Sequence, residues 1–457
     1  MRSSRFMPAA VLGLASVMLA TTGGIATAQS GGWDAFEAGL KDKYAGKTLR
    51  LITINDPFVP AMIETNKLFT ELTGAEVVVD GYGYDAVYEK EQLACQQQSN
   101  AYDVIVLDVP WTQAFDGCTE YLNARVEAGD PEVIAYDDYF KVMQEAVEWG
   151  GNIVGLPFAP YFVLQHYNTS YFDTLGLKPA TNFAEWVANA EAANKSEALP
   201  DVYGTITNNQ AGSAVGQAFF EFIYNVEGGK PFASMYPGCA PDCYADMTPL
   251  FSSPQGIATV ELMKSILPFQ PEGALNYAWT ERQNYFNTGL IAFNNQWNVT
   301  TPSADDPEFS TIVGNVGTAP FPHDSADLVT QVGGWSMAIN KFAVDPEMSW
   351  DYLQWFTSPQ VNVEFAKLGG FPARESTLAN EELNAQYPWY TTLKEVIPTA
   401  FADCRPRNNE SFNIINTLGT YISKAVSGEM TTEEAMKAAD LEIGTMLKEA
   451  GYNVTLP

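Results

Sequence analysis

The sequence predicts an α/β protein of two lobes, and three observations carry that expectation. Strand-like and helix-like segments alternate between Lys47 and Asp108, the pattern of right-handed βαβ units and a parallel sheet. From Ile153 the character changes, and longer stretches separate the strands from strong helices. The chain has 457 residues, of which 46% are hydrophobic and 17% charged. That composition is globular, and the length suits roughly two or three domains or one large two-lobed unit with a sizeable core.

The elements follow in order. Residues 47–55 (KTLRLITIN) read as a buried strand ending at Asp56-Pro57. An amphipathic helix over 58–72 is closed by Gly74. A strand over 76–80, a helix over 85–98 rich in Glu, Gln, Leu and Ala, and a strand over 103–107 ending at Asp108 complete the first lobe's opening units. Residues 162–167 read as a strand leaving that lobe. Thr181 and Asn182 with Glu185 have capping-box character, and their helix runs to about Asn194. Helices are expected over 215–226 and over 255–267, the latter opened by Pro254. Strands over 290–294, 312–318 and 332–340 precede helices over 347–357, 412–426 and 432–449.

Residues 1–28 have the three parts of a secretory signal peptide. Arg2 and Arg5 are the positive region, 9–20 the apolar region and Ala26-Thr27-Ala28 the cleavage site, so the mature chain would start at Gln29. The apolar region is about half the ~20 residues that a membrane span needs, and no other stretch approaches that length. An exported protein, free in the periplasm of a Gram-negative bacterium and not inserted in the membrane, is the expectation. An oxidising compartment permits disulfides among Cys95, Cys118, Cys239, Cys243 and Cys404. Cys239 and Cys243 could close a short loop and Cys95 with Cys118 is a plausible second pair, although sequence does not fix the pairing. A metal site would need more His or Cys, yet His166 and His323 are the only histidines; no metal or cofactor is expected.

Charge narrows the partners. The chain carries 55 acidic and 24 basic side chains, a net charge of −31, and loss of a leader holding two Arg and no acid takes this to −33. Nucleic acid and anionic membrane surfaces need clustered Lys and Arg, so both are excluded. An enzyme, a small-molecule receptor and a scaffold remain. Gly81-x-Gly83-x-x-Ala86 with Asp108 imitates a dinucleotide fingerprint, but it follows the second strand rather than the first. Gly46-Lys47-Thr48 lacks the first glycine of a P-loop and enters a strand. Gly334-Trp335-Ser336-Met337-Ala338 misses the nucleophile elbow at its last position. Paired carboxylates for glycoside hydrolysis stay available, because 55 acids always allow a pair.

The remaining motifs occur in a specific order. They are Asp103-Val-Ile-Val-Leu-Asp108-Val-Pro-Trp111, Asn152-Ile-Val-Gly-Leu-Pro157-Phe158 and Phe286-Asn-Thr-Gly289-Leu-Ile-Ala292. Gly333-Gly334-Trp335 with Ala338-Ile339-Asn340 follows, then Trp350 to Gln360, Gly370-Phe-Pro372-Ala-Arg374 and Arg405-Pro406-Arg407. Together these resemble the extracellular solute-binding proteins of ABC importers, family 1, of carbohydrate-binding type, over most of the chain from Lys47 to Tyr452. The resemblance implies a two-lobed periplasmic-binding-protein-like (type II) α/β fold with hinge crossovers and a cleft between lobes. The N-terminal lobe would comprise 29–158 plus 321–371, and the C-terminal lobe 159–320 plus 372–457. Crossovers would fall near 157–161, 318–322 and 370–374, with Arg374 pinning the third to a carboxylate.

Sugars offer apolar C–H faces and rings of hydroxyls, which aromatic rings and carboxylates or amides match. Asp56 and Asp108 lie where open α/β sheets bind ligands, beyond strand C-termini, and Trp111 follows closely. By resemblance Trp297 and Trp335, the latter beside Gly334, would be stacking platforms on opposite sides of the cleft. Tyr161 stands where many members carry Asp. Tyr84, Gln210 and Arg407 complete the candidate set. The implied function is a monomeric, non-enzymatic receptor that binds a neutral mono- or disaccharide or polyol at micromolar order, about −8 kcal/mol. It would deliver the ligand to the permease subunits by hinge closure. The alternatives are a cationic amine or polyamine in the same fold, or a secreted glycoside-active enzyme.

Overall fold

A computed structural model describes residues 32–456, so the expected signal peptide lies outside the described residues. An eight-stranded sheet forms the frame. Its strands are β1 (Thr48–Ile54), β2 (Glu76–Tyr82), β3 (Val104–Asp108), β4 (Leu156–Asn168), β5 (Phe293–Trp297), β6 (Val316–Ala319), β7 (Thr330–Ile339) and β8 (Ala400–Phe401). The helices that matter most for the site are α1 (Val59–Thr73), α2 (Tyr84–Gln96), α3 (Ser213–Ile223), α4 (Trp279–Asn287) and α5 (Ser411–Val426).

The first units fold as the pattern dictates. β1 is parallel to β2 and to β3, and α1 ends at Gly74, whose φ of 73° lets its N–H reach back to the Thr70 carbonyl. Past β3 the sheet ceases to be parallel. β7 lies antiparallel beside β3, and β4 lies antiparallel beside β7. The order is β2-β1-β3-β7-β4-β5, so β7 and β4 run through the middle of the sheet and are buried almost throughout. The alternation rule applies only to the stretch where each strand is followed by a covering helix; β4 and β7 are instead long strands crossing in opposite directions.

Three expected strands move, that over 312–318 to Val316–Ala319, and one helix was missed. The crossing strand starts at Leu156 rather than 162, because Pro157 is accommodated at a register shift between Pro157 and Ala159 and Pro160 pairs with Gly334. The strand expected over 290–294 lies at 293–297: Ile291 makes only an isolated bridge to Tyr203, and the ladder with β4 begins at Phe293. The helix α4 was not legible, since its sequence WTERQNYFN shows no apolar stripe.

The expected crossover segments have definite surroundings. Residues 157–161 lie within β4 against β7, and 318–322 leave β6 towards β7. Residues 370–374 end on Arg374, which is fully buried. Carbonyl oxygens hold it in addition to the expected carboxylate: Nε donates to Thr357 O at 2.7 Å, Nη1 to Ala135 O and Nη2 to Ile134 O, both at 2.8 Å. Asp138 stands farther off at 3.6 Å, and the Tyr139 ring lies 3.9 Å from the guanidinium. Cys95–Cys118 and Cys239–Cys243 are disulfides, and Cys404 is a buried free thiol.

Arg374→Met keeps the apolar stem but removes three charge-assisted hydrogen bonds to carbonyls, including the one to the buried Ile134. A loss of about 3–5 kcal/mol is expected from urea unfolding; an unchanged midpoint would show the pin to be dispensable.

Candidate ligand-binding site

The C-terminal ends of β1 and β3 converge on a cavity of about 380 Å³. On one side stand Asp56 after β1, Tyr84 and Asp85 at the start of α2, and Asp108 at the end of β3. Register places the next wall: Asp108 is the cross-strand partner of Trp335, and Tyr161 that of Gly333. The far side consists of Gln217 on α3, Trp279 and Gln283 on α4, Gln296 and Trp297 at the end of β5, and Arg405.

Glycine at 334 is a steric requirement. Its φ is +102°, and a Cβ there would lie 2.2 Å from the Ala159 carbonyl oxygen and 2.6 Å from the Tyr161 nitrogen. The close approach of β7 to β4 brings Trp335 and Tyr161 onto one wall.

Asp108 is held on every lone pair. Oδ1 accepts from Val109 N at 2.8 Å and from Arg405 Nη2 at 3.0 Å. Oδ2 accepts from Tyr84 OH at 2.7 Å and from Arg405 Nη1 at 2.9 Å. A carboxylate offers about four acceptor sites, so Asp108 positions Tyr84 and Arg405 and has none left over. Asp108 and Arg405 are both buried. Burial opposes the guanidinium charge, but Asp108 outweighs it and holds Arg405 above its ordinary range.

Asp56 is different. It accepts from Tyr161 OH at 2.7 Å and faces the cavity. Burial pushes its carboxyl up to about 6 against the opposing pull of the Tyr161 hydrogen bond, and the charge of Asp108 adds to the rise. Asp85 sits exposed at the rim and is also raised by desolvation.

The opposite wall presents donors. Gln217 Oε1 accepts from Arg405 Nη1 at 3.2 Å, which turns its amide nitrogen outward. Gln296 Oε1 accepts from Arg282 Nη2 and from Trp297 N, with the same result. Gln217 Nε2 and Gln296 Nε2 are buried and have no partner in the protein, whereas the Trp335 indole N–H lies on the wall of Asp56 and favours its ionised form. Such orphaned donors carry a desolvation cost unless something in the cavity accepts from them.

Of the ten residues singled out in the sequence, Asp56, Tyr84, Asp108, Tyr161, Gln210, Trp297, Gly334 and Trp335 line the cavity. Trp111 and Arg407 do not. The turn after Asp108 carries the Trp111 indole inward, fully buried behind Tyr84 and Trp335 at ring distances of 5.0 and 5.4 Å. Arg407 turns to Asp403, with Nε–Oδ1 2.8 Å and Nη2–Oδ2 3.0 Å, and donates to the Glu145 carbonyl. Its neighbour Arg405, in the same three-residue motif, enters the cavity instead. Sequence reasoning also missed Gln217, Trp279 and Gln296. Gln296 stands in the polar run Asn294-Asn295-Gln296 just ahead of Trp297, whereas Trp279 gave no signal because its helix was not seen. His166, the other unusual group, is core: burial pushes it down to about 3, so it is neutral and bonds Thr301.

With this geometry in view, the comparisons with known proteins decide the family. A model of the bacterial extracellular solute-binding proteins matches residues 52–363. The chain belongs to that family. This solute-binding protein is of the ABC-transport type, and its family consists of extracellular or periplasmic transport binding proteins rather than enzymes. It is 24% identical over 429 residues to the "Probable amino-acid ABC transporter periplasmic-binding protein y4oP" of Sinorhizobium fredii, covering 91% of this chain and 93% of the other. It is 21% identical over 434 residues to the mannitol-binding protein of Pseudomonas aeruginosa, covering 89% and 94%. A solute-binding protein from Agrobacterium radiobacter K84, solved in complex with ribitol, superimposes with a TM-score of 0.80 at 26% identity, covering 88% and 99%. The two-lobed binding-protein fold is therefore shown. No helix among the described residues is long and apolar enough to cross a membrane.

Two outcomes follow. Gly334→Ala should lose about 1–3 kcal/mol in thermal unfolding from backbone strain alone. The raised Asp56 carboxyl binds its proton more tightly folded than unfolded. Its contribution to stability is therefore full below the ordinary carboxylate range and is lost as pH rises from about 4 through 6. Stability–pH curves of wild type and Asp56→Asn should differ in slope in that window and run parallel above it.

Proposed function

We propose that this protein is the substrate-binding component of an ABC importer that captures a neutral polyhydroxylated molecule, a monosaccharide or polyol before a disaccharide. One observation carries the reading: the orphaned amide donors of Gln217 and Gln296 and the carboxylate acceptor Asp56 line one cavity walled by aromatic rings. A hydroxyl both donates and accepts, so a polyol satisfies both sides at once, while C–H faces rest on Trp335, Trp297 and Tyr84. The volume of about 380 Å³ lies at the small end of ligand sites. The ligands named for the mannitol-binding relative and the ribitol complex support the same class.

The rest of the reading follows the family. The lobes are 29–158 plus 321–371 and 159–320 plus 372–457, hinged where β4 and β7 cross. Closure buries the ligand and presents the closed form to the permease; the protein acts as a periplasmic monomer after losing its leader, kept dispersed by its acidity. A cationic amine is the second reading, favoured by Asp56 and Asp85 among the rings. A glycosidase is disfavoured, because Asp108 has no free lone pair with which to act as acid or base.

A thermal-shift and calorimetry panel of pentitols, hexitols, monosaccharides, polyamines and amino acids tests this. A ligand at 100 times its dissociation constant stabilises by about 2.7 kcal/mol, and the expected hits are polyols or monosaccharides. Heat with polyamines or amino acids alone would overturn the reading. Trp335→Ala should weaken the bound polyol at least about tenfold and abolish ligand-induced fluorescence change while the protein stays folded. Unchanged affinity would make Trp335 a core residue only.

A further inference from the structure

We infer that Arg405 is the specificity-determining residue that sets the charge class of the ligand: it makes this a site for neutral hydroxyls and closes it to amines. The inference rests on the polyhydroxyl reading above and goes beyond it by naming the group responsible.

Arg405 is buried to 1% exposure and reaches the cavity from outside the sheet's strand ends. Its fork spans both oxygens of Asp108, at 2.9 and 3.0 Å. The most buried carboxylate of the cavity is thereby cancelled, so a cation entering the site meets an ion pair rather than a bare anion. The same guanidinium acts on a neighbour. By donating to Gln217 Oε1 it commits that oxygen, and only the amide N–H groups are left to face the cavity. Arg282 does the same for Gln296 from beneath, itself 3.5 Å from the buried Glu221. An ammonium carries donors and no acceptor, so on this wall it would meet donor against donor. A hydroxyl oxygen accepts there without penalty. Of the other two carboxylates lining the cavity, Asp85 lies exposed at the rim, where solvent screens its charge, and Asp56 carries less charge than an ordinary aspartate near its raised titration range. Removing Arg405 reverses each of these effects together: Asp108 becomes an uncompensated anion beside Tyr84, and Gln217 is free to turn its oxygen to the ligand.

The test compares sorbitol with glucamine, the same carbon chain bearing an amine in place of one hydroxyl, by calorimetry on the mature protein at neutral pH. Wild type should bind glucamine at least about tenfold more weakly than Arg405→Gln does, and Arg405→Gln should lose sorbitol affinity. The gained amine affinity should fall with added salt, as a charge interaction does. Gln217→Glu adds a carboxylate without unpairing Asp108, so it guards against a misfolded Arg405 variant; it should gain glucamine affinity in the same direction but by less. The arms separate the two claims. Sorbitol or another polyol binding to wild type decides the hydroxyl reading, and gain of glucamine decides the role of Arg405 whether or not wild type takes sorbitol. No gain in folded Arg405→Gln, or none in Gln217→Glu where the former does not fold, overturns the inference. Glucamine binding as tight in wild type as in the variants overturns it too.

Discussion

The buried pair of Asp108 and Arg405 is the contact on which the cavity depends. Asp108 ends β3, in the parallel part of the sheet, while Arg405 comes from a segment some three hundred residues later in the chain. Under the proposed lobe boundaries the pair spans the cleft. Its geometry is bidentate, and the carboxylate is completed by Tyr84 and by the backbone of Val109. Desolvating both charges is costly, and such a pair is no guarantee of stability. What it supplies is position. With Asp108 fixed, Tyr84 stands upright against Trp111 and Trp335, and with Arg405 fixed, the Gln217 amide has one orientation.

The segment bearing Arg405 is braced on both sides. Asp403 accepts from Tyr244 OH at 2.6 Å and from the Arg407 fork, and Arg407 N donates to the same tyrosine oxygen at 2.8 Å. Tyr244 follows Cys243, which is bound to Cys239 in a short disulfide loop. Arg407 then reaches the carbonyls of Glu145 and Glu148. Its removal from the cavity is thus explained: it is spent on holding the peptide from which Arg405 projects. Two buried arginines, at 374 and 407, bind backbone carbonyls of distant segments, while Arg405 binds the side chains of Asp108 and Gln217, and each uses planar multi-donor geometry that lysine lacks.

How much was legible follows from how local the signal was. Helix 432–449 was read to its terminal residues because Thr431 and Glu434 form a capping box within one turn. The turn at Gly74 and the ends of β1 and β3 were equally local. Trp111 failed for the opposite reason. It is adjacent in sequence to a cavity residue, and a turn of 3₁₀ helix sends it to the far side of Tyr84. Arg405 and Arg407 are two residues apart in one motif, and distant partners decide which one enters the site: Asp108 for Arg405, and the Glu145 and Glu148 carbonyls for Arg407. Gln296 sat in a visible polar run, but its role needed Arg282 beneath it.

By itself, the sequence determined the α/β opening, the order of the family's motifs, the aromatic and acidic stock of the site and the positions of eight cavity residues. These depend on periodicity, turn chemistry and strand ends, which are properties of neighbouring residues. The tertiary structure alone decided that β4 and β7 cross antiparallel, that Arg405 rather than Arg407 lines the cavity, and that the Gln217 and Gln296 oxygens are committed to arginines. Those depend on which side chains meet across long separations, and hydrogen-bond direction in a buried amide is set by the partner it meets there, not by the residues beside it in the chain.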